Sequence, residues 1–179
     1  MGLSYTYFLN DQHVAEFSLF LPNLVSINLT RCWKLTESAL FSLLTNCPSL
    51  SDIKMDYTTI GKESIGGGGD DSNSFVVVSP RVKSLSLAHC QYLRDQNIIL
   101  FASIFPNLEV LDLSYWKDVS KESISQVLKC CSKIWRWEKH KEGGLNFVGF
   151  FFFFSYWSHL SEAVSVQLLK WCSDTKCSG

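Results

Sequence analysis

Residues 106–131 read PNLEVLDLSYWKDVSKESISQVLKCC, and this stretch carries two different periodicities. Its first half places Leu108, Leu111 and Leu113 as L-x-x-L-x-L. The last two lie two residues apart and so share one face of a short strand. Its second half places Ile124, Val127, Leu128 and Cys131 at i, i+3, i+4 and i+7, a single apolar stripe along a helix. Ser120 precedes that stripe, with a side-chain oxygen placed to accept from the free N–H groups of a first helical turn. Pro106 opens the stretch, stopping any preceding helix and leading into extended chain.

The same pattern recurs along the chain. Residues 22–47 read PNLVSINLTRCWKLTESALFSLLTNC, and residues 80–105 read PRVKSLSLAHCQYLRDQNIILFASIF. Residues 48–65, PSLSDIKMDYTTIGKESI, carry a shorter version. Pro22 to Pro48 and Pro80 to Pro106 are each 26 residues, whereas Pro48 to Pro80 is 32. The longer unit lacks one residue near Tyr57, Thr58 and Thr59 and gains seven in a Gly-rich insertion at 66–74. The strand pairs are Ile27 and Leu29, Ile53 and Met55, Leu85 and Leu87, and Leu111 and Leu113. Helical stripes follow at Leu40, Leu43, Leu44 and Cys47, and at Ile98, Phe101, Ala102 and Phe105. Thr36, Asp95 and Ser120 mark the expected helix starts. The chain opens in the same phase, since Leu3, Ser4 and Tyr5 match Leu113, Ser114 and Tyr115. It therefore begins on a strand, without a capping unit, which reads as a fragment of something longer.

One strand–helix unit cannot bury both of its stripes, so stacked units must share a core. The expected architecture is an α/β leucine-rich-repeat solenoid over 1–134. Its parallel strands line a concave face and its helices cover the convex one. The motif cysteines then point to a family. The repeats resemble the cysteine-containing, ribonuclease-inhibitor-like leucine-rich repeats of plant F-box proteins, roughly P-x-L-x-x-L-x-L-x-x-C-x-x-L-T over a 26-residue period. Here the motif cysteine stands as Cys32 and Cys90, Trp116 takes its place in the fourth unit, and the second unit loses it. Leu35-Thr36 and Val119-Ser120 hold the L-T position, and Cys47 and Cys131 close their helices before the next unit.

The resemblance implies a protein-binding module, the substrate-recognition half of an SCF-type ubiquitin ligase acting in ubiquitin-dependent protein degradation. An F-box that would dock a Skp-type adaptor is not among these residues. The alternative is a stand-alone repeat scaffold, or a truncated product without ligase function. The partner is expected on the concave face, at Asn28, Lys54, Asp56, Ser86 and Asp112 and at the lip residues Arg31, Tyr57, His89 and Tyr115. Tyr and Arg at a rim suit protein hot spots. Repeats outside this chain are the other place for it.

Composition narrows the classes. With 16 basic and 17 acidic residues, the chain lacks the positive excess that displaces phosphate counterions. Nucleic acid is not expected as a partner. Seven cysteines without a CxxC pair, and an N-terminus without a basic and then apolar leader, suit a reduced cytoplasmic or nuclear setting. Cys130, Cys131, Cys172 and Cys177 with His140 and His159 lack zinc-type pair spacing, so no metal or other cofactor is expected. The Gly-rich insertion has no following Lys-Ser/Thr and is not a phosphate loop. Cys32 and Cys90 recur at one repeat position, which marks them as packing residues, and no enzymatic activity is expected.

After Ile134 the phase is lost. Positions 137 and 139, due to be apolar, hold Trp137 and Lys139, and five consecutive phenylalanines follow at 150–154. The reading for 135–179 is an irregular, aromatic-rich tail with a short helix at 161–172, foreign to the repeats and consistent with a mis-spliced gene product. Its apolar run is shorter than the roughly 20 residues that span a bilayer, so a membrane anchor is not expected.

Overall fold

The first apolar residue of each L-x-L pair centres a three-residue strand and the second follows directly after it, so that both leave water on one face. The computed structural model describes residues 1–62, 78–116, 120–134, 136–141 and 144–150. In it β1 (Ser26–Asn28), β2 (Asp52–Lys54), β3 (Ser84–Ser86) and β4 (Val110–Asp112) lie side by side in one parallel sheet. The register repeats without slip: Ile27 pairs with Ile53, Ile53 with Leu85 and Leu85 with Leu111. The 32-residue unit therefore disturbs no pairing. Ahead of β1 the chain adds a further rung, with Leu3 N–H donating to Asn28 O at 2.8 Å and Tyr5 N–H to Thr30 O at 2.9 Å.

Parallel neighbours need a crossover, and helices supply it at every connection except that from β2 to β3, which lies largely outside the described residues. The helices are α1 (Asp11–Ser18), α2 (Glu37–Asn46), α3 (Asp95–Ile104) and α4 (Lys121–Cys130). Helix α1 packs on α2, and α3 on α4. Ile27, Ile53, Leu85 and Leu111 of the strands, with Leu29, Met55, Leu87 and Leu113 directly after them, bury in one cluster with Leu40, Leu43, Ile98, Phe101 and Val127 of the helices. The result is α/β, four parallel strands with helices between them, compatible with a leucine-rich-repeat solenoid. The Gly-rich insertion at 66–74 and the tail helix at 161–172 lie outside the described residues.

The helix starts form a linked series. Asn10 Oδ1 accepts from His13 N–H at 3.0 Å, Thr36 Oγ1 from Ser38 N–H at 3.2 Å, and Ser120 Oγ from Ser123 N–H at 3.1 Å. Asp95, expected to cap α3, does not. The helix opens one residue earlier, at Arg94, whose N–H is accepted by Asn97 Oδ1 at 3.0 Å. Asp95 is freed for a different task, because its Oδ1 accepts the N–H of Ser120, the next helix's cap, at 3.2 Å. Asp11 does the same for Thr36 N–H at 2.9 Å, and the Glu37 carboxylate accepts from Gly61 N–H. A first-turn acid in one unit thus holds the backbone at the start of the next. It also places negative charge at the positive end of its own helix.

The repeated cysteines tie units together as well as fill space. Cys32 Sγ donates to Leu3 O and Cys90 Sγ to Met55 O, both at 3.2 Å, reaching back one unit. Cys47 Sγ reaches Ser18 O at 3.8 Å, and Cys131 Sγ reaches Phe105 O at 3.3 Å. Where Trp116 replaces the motif cysteine, its Nε1–H takes over the role and donates to Leu93 O at 2.7 Å. Thr58 holds the position in the second unit and donates to Met55 O at 2.8 Å. Burial pushes the Cys90 thiol up to about 11, and burial followed by neighbouring Cys130 pushes Cys131 to about 11. These thiols stay protonated and serve as donors rather than nucleophiles.

The sheet does not stop at Ile134. Strand β5 (Arg136–Lys141) continues parallel to β4 with Trp137 opposite Leu111, 26 residues on, and β6 (Gly144–Phe150) returns antiparallel to β5. The reading of 135 onward as irregular is corrected for these two strands. Backbone pairing to an existing sheet edge propagates register even where the side chains depart from the repeat pattern.

Candidate functional site

The site forms where each strand leaves the sheet. In the turn closed by Cys32 N–H to Leu29 O at 3.2 Å, Arg31 holds the third position. The equivalent turns close from Cys90 to Leu87 and from Trp116 to Leu113, both at 3.3 Å, and carry His89 and Tyr115. That position takes a positive φ in turns that usually place glycine there. Here it holds Tyr5 at 64°, Arg31 at 63°, Tyr57 at 56°, His89 at 59° and Tyr115 at 65°. A side chain in this left-handed region costs about 1–2 kcal/mol. Five in a row, each one unit apart, form a column of retained side chains.

Backbone bonds between units hold the column. Tyr5 N–H donates to Thr30 O, Arg31 to Asp56 O, Tyr57 to Ala88 O and His89 to Ser114 O, all at 2.8–2.9 Å. Neighbouring parallel strands run about 4.8 Å apart, close to the separation at which flat groups stack. The side chains accordingly stack on one another. The Tyr57 and His89 rings lie 4.1 Å apart and 12° from parallel, and the His89 and Tyr115 rings 3.8 Å apart and 16° from parallel. The Arg31 guanidinium sits 4.7 Å from the Tyr57 ring and 5.0 Å from the Tyr5 ring. The column is therefore a single stack, Tyr5, Arg31, Tyr57, His89, Tyr115, at the rim of the sheet.

Below the stack lies the open face of the sheet, opposite the helices. Asp56 is its centre. Its carboxylate accepts from Ser86 Oγ, from Ala88 N–H at 3.1 Å and from Thr30 Oγ1 at 3.4 Å. Burial raises its carboxyl above the usual range, opposed by those hydrogen bonds and reinforced by Asp112. Ser86 also approaches Asp112 Oδ2 at 3.4 Å. Asn28 and Asp112 use one geometry in two units, each accepting the N–H two residues on, from Thr30 at 3.0 Å and Ser114 at 2.9 Å. Lys54 stands exposed in the same strand column.

Eight of the nine residues singled out from sequence thus fall into two groups, and the ninth, Lys54, stands exposed on the open face. Arg31, Tyr57, His89 and Tyr115 come together in the stack. Asn28, Asp56, Ser86 and Asp112 turn much of their hydrogen-bonding capacity inward, and Ser86 is buried. They shape the floor more than they offer contacts. Sequence reasoning missed Tyr5 as a member of the stack. Its signal was the match of Leu3-Ser4-Tyr5 to Leu113-Ser114-Tyr115, which places Tyr5 in the lip column. A second pair of large rings, Tyr7 and Trp33, lies 5.4 Å apart on the outer side of the same turns, and each is 56% exposed.

Among the described residues, no group of three or more His, Cys, Asp or Glu side chains converges as a metal site. Cys172, Cys177 and His159 of the cluster considered from sequence lie outside them. No helix among the described residues is long and apolar enough to cross a membrane.

Comparison with known proteins finds distant likeness to curated proteins. The chain is 26% identical over 128 aligned residues to antagonist of mitotic exit network protein 1 of Eremothecium gossypii, a leucine-rich-repeat-containing protein. The match covers 58% of this chain and 33% of that relative, so the chain spans about a third of the relative's length. No family model matches the chain. The distant likeness and the parallel strand–helix repeats agree on the type of fold.

Proposed function

We propose that this chain is a protein-binding leucine-rich-repeat module, of the kind that F-box proteins of plants use to recognise substrates for a cullin-based ubiquitin ligase. The observation that carries the binding reading is the rim stack. Five consecutive units keep a large planar side chain where glycine would relieve backbone strain, and a residue held against its preferred conformation points to a role outside folding. Rigid stacked rings present contact area whose ordering entropy has already been lost, which suits an interface. The wording of the repeats supports the F-box assignment: Cys32 and Cys90, the L-T pair at Leu35-Thr36, and the 26-residue period. The distant relative is named for antagonism of a mitotic exit network, a regulatory role with no reaction in its name.

The ligase reading requires an adaptor-docking segment in the intact gene product. Affinity purification of that product from its own cells should recover a Skp-type adaptor and a cullin. Variants Tyr57→Ala and His89→Ala should retain the adaptor and lose the substrate. A full-length product that brings down no adaptor leaves the second reading, a stand-alone repeat scaffold, which the same rim stack supports equally.

A further inference from the structure

Within the stack, Arg31 differs from its neighbours. Its guanidinium carbon lies over two rings, that of Tyr5 in the preceding unit and that of Tyr57 in the following one. A guanidinium carries five N–H donors, all in its plane and all directed outward. Among the described residues none of these donors meets a carboxylate or another acceptor. The nearest acid along the sheet, Asp56, spends its oxygens on Thr30, Ser86 and Ala88. The cation is half-buried, and it is held between two rings.

From this geometry we infer that Arg31 is a carboxylate-binding site, which takes an aspartate or glutamate side chain of the partner protein through paired N–H···O bonds. The inference rests on the protein-binding reading above and names the chemistry of its central contact. A planar fork matches a carboxylate with two parallel hydrogen bonds. Stacking has already ordered the side chain, so little rotamer freedom is lost on binding. Lys54, three residues before Tyr57 on the neighbouring strand and exposed, adds a second positive charge along the same face, about 10 Å away. Net charge selects carboxylate over phosphate. Asp56 and Asp112 share this face, and a phosphate group carrying nearly two negative charges meets more repulsion from them than a single carboxylate does.

The test is an NMR titration of the whole chain, following the Arg31 Nε–Hε cross-peak. Three blocked peptides of one length serve as probes, bearing central glutamates, glutamines or phosphoserines. The glutamate peptide should move the Arg31 signal along a saturating curve, and the glutamine peptide should bind at least about tenfold more weakly. Arg31→Gln should abolish the glutamate preference while backbone amide signals elsewhere stay in place, which shows that the fold is intact. Arg31→Lys, which keeps the charge but not the fork, should weaken binding severalfold. Equal binding of the glutamine peptide, binding of the phosphoserine peptide alone, or an undiminished glutamate preference in Arg31→Gln would each overturn the inference. Peptides that shift only signals around Tyr57 to Tyr115 would also overturn it, while leaving the protein-binding reading standing.

Discussion

The two sides of the repeat array treat the second unit differently. On the sheet side the 32-residue spacing leaves no mark: β2 pairs with β3 in the same register as every other parallel neighbour, and the rim stack runs through from Tyr57 to His89. On the helix side the regular pairing of α1 with α2 and of α3 with α4 is not carried across from α2 to α3 by any described helix. The connection there is polar. The buried Glu37 carboxylate accepts from Gly61 N–H and, at 3.3 Å, from Asn97 Nδ2 of α3. Sheet pairing is set by backbone groups that every unit possesses, so it tolerates a change in what lies between strands. Helix packing depends on particular side chains, and an interrupted unit needs a dedicated one. The 32-residue unit therefore differs from its neighbours on the helix side, and the rim stack runs through it.

The comparison can be broken most directly at Gly61. Its φ is +91°, and a Cβ there would collide with the Tyr92 carbonyl group. Backbone is in the way, so no side chain can yield. Gly61→Ala should lower unfolding stability by roughly 4 kcal/mol, combining left-handed strain and overpacking. A urea midpoint near that of the native chain would mean that the junction is looser than described.

Glu37 comes next. Glu37→Ala strands the buried Gly61 N–H and Asn97 amide and should cost about 3 kcal/mol. Asp95→Ala removes the equivalent bond at a regular, helix-packed junction, and its loss should stay near 1 kcal/mol. Equal losses from the two variants, read from urea melts, would erase the proposed distinction between the interrupted junction and the regular ones.

The rim gives a smaller effect with an unusual sign. His89→Ala and His89→Gly both lose the ring stacking, but only glycine relieves the positive φ. The glycine variant should therefore be the more stable of the two by about 1 kcal/mol, opposite to the ordering in helices and strands. An alanine variant as stable as the glycine one would remove the strain argument for function.

The smallest effect concerns pH. Burial places the folded-state pKa of Asp56 above its unfolded value, so the native state holds this proton more tightly. Stability then falls as pH rises through the window between those two values, and acidification from neutrality recovers it. Most carboxylates with native partners behave in the opposite way. The stability difference between the native chain and Asp56→Asn, followed by urea midpoint, should shift in favour of the native chain as the pH falls from neutrality toward the unfolded carboxylate range, about 4. A difference that does not change with pH would show that Asp56 ionises as freely folded as unfolded.

Much of this architecture is legible in the sequence because leucine-rich units declare themselves through paired periodicities. Leu111 and Leu113 two apart, followed by Ile124, Val127 and Leu128, describe a strand and then a helix by their spacing alone. The lip residues are legible for the same reason, since position in the repeat fixes position on the rim. The stack itself is not. Whether Arg31 lies between two rings depends on side-chain direction and inter-strand distance, which no linear pattern encodes. The task of Asp95 escapes a linear reading because capping residues and first-turn acids are the same residue types, separated by one position. Strand β5 is hidden because Trp137 and Lys139 break the apolar alternation, while the backbone pairing that forms the strand does not depend on it.

The central claim is that the rim stack is where a partner protein binds. Site-specific photo-cross-linking in the native cell tests it, with the photoreactive residue placed at Tyr57 or Tyr115 on the rim, or at the exposed Ser103 on α3. The account predicts a discrete covalent adduct of one partner from both rim positions and none from Ser103. An adduct from Ser103 with the rim positions silent would contradict it and move the interface to the helix side.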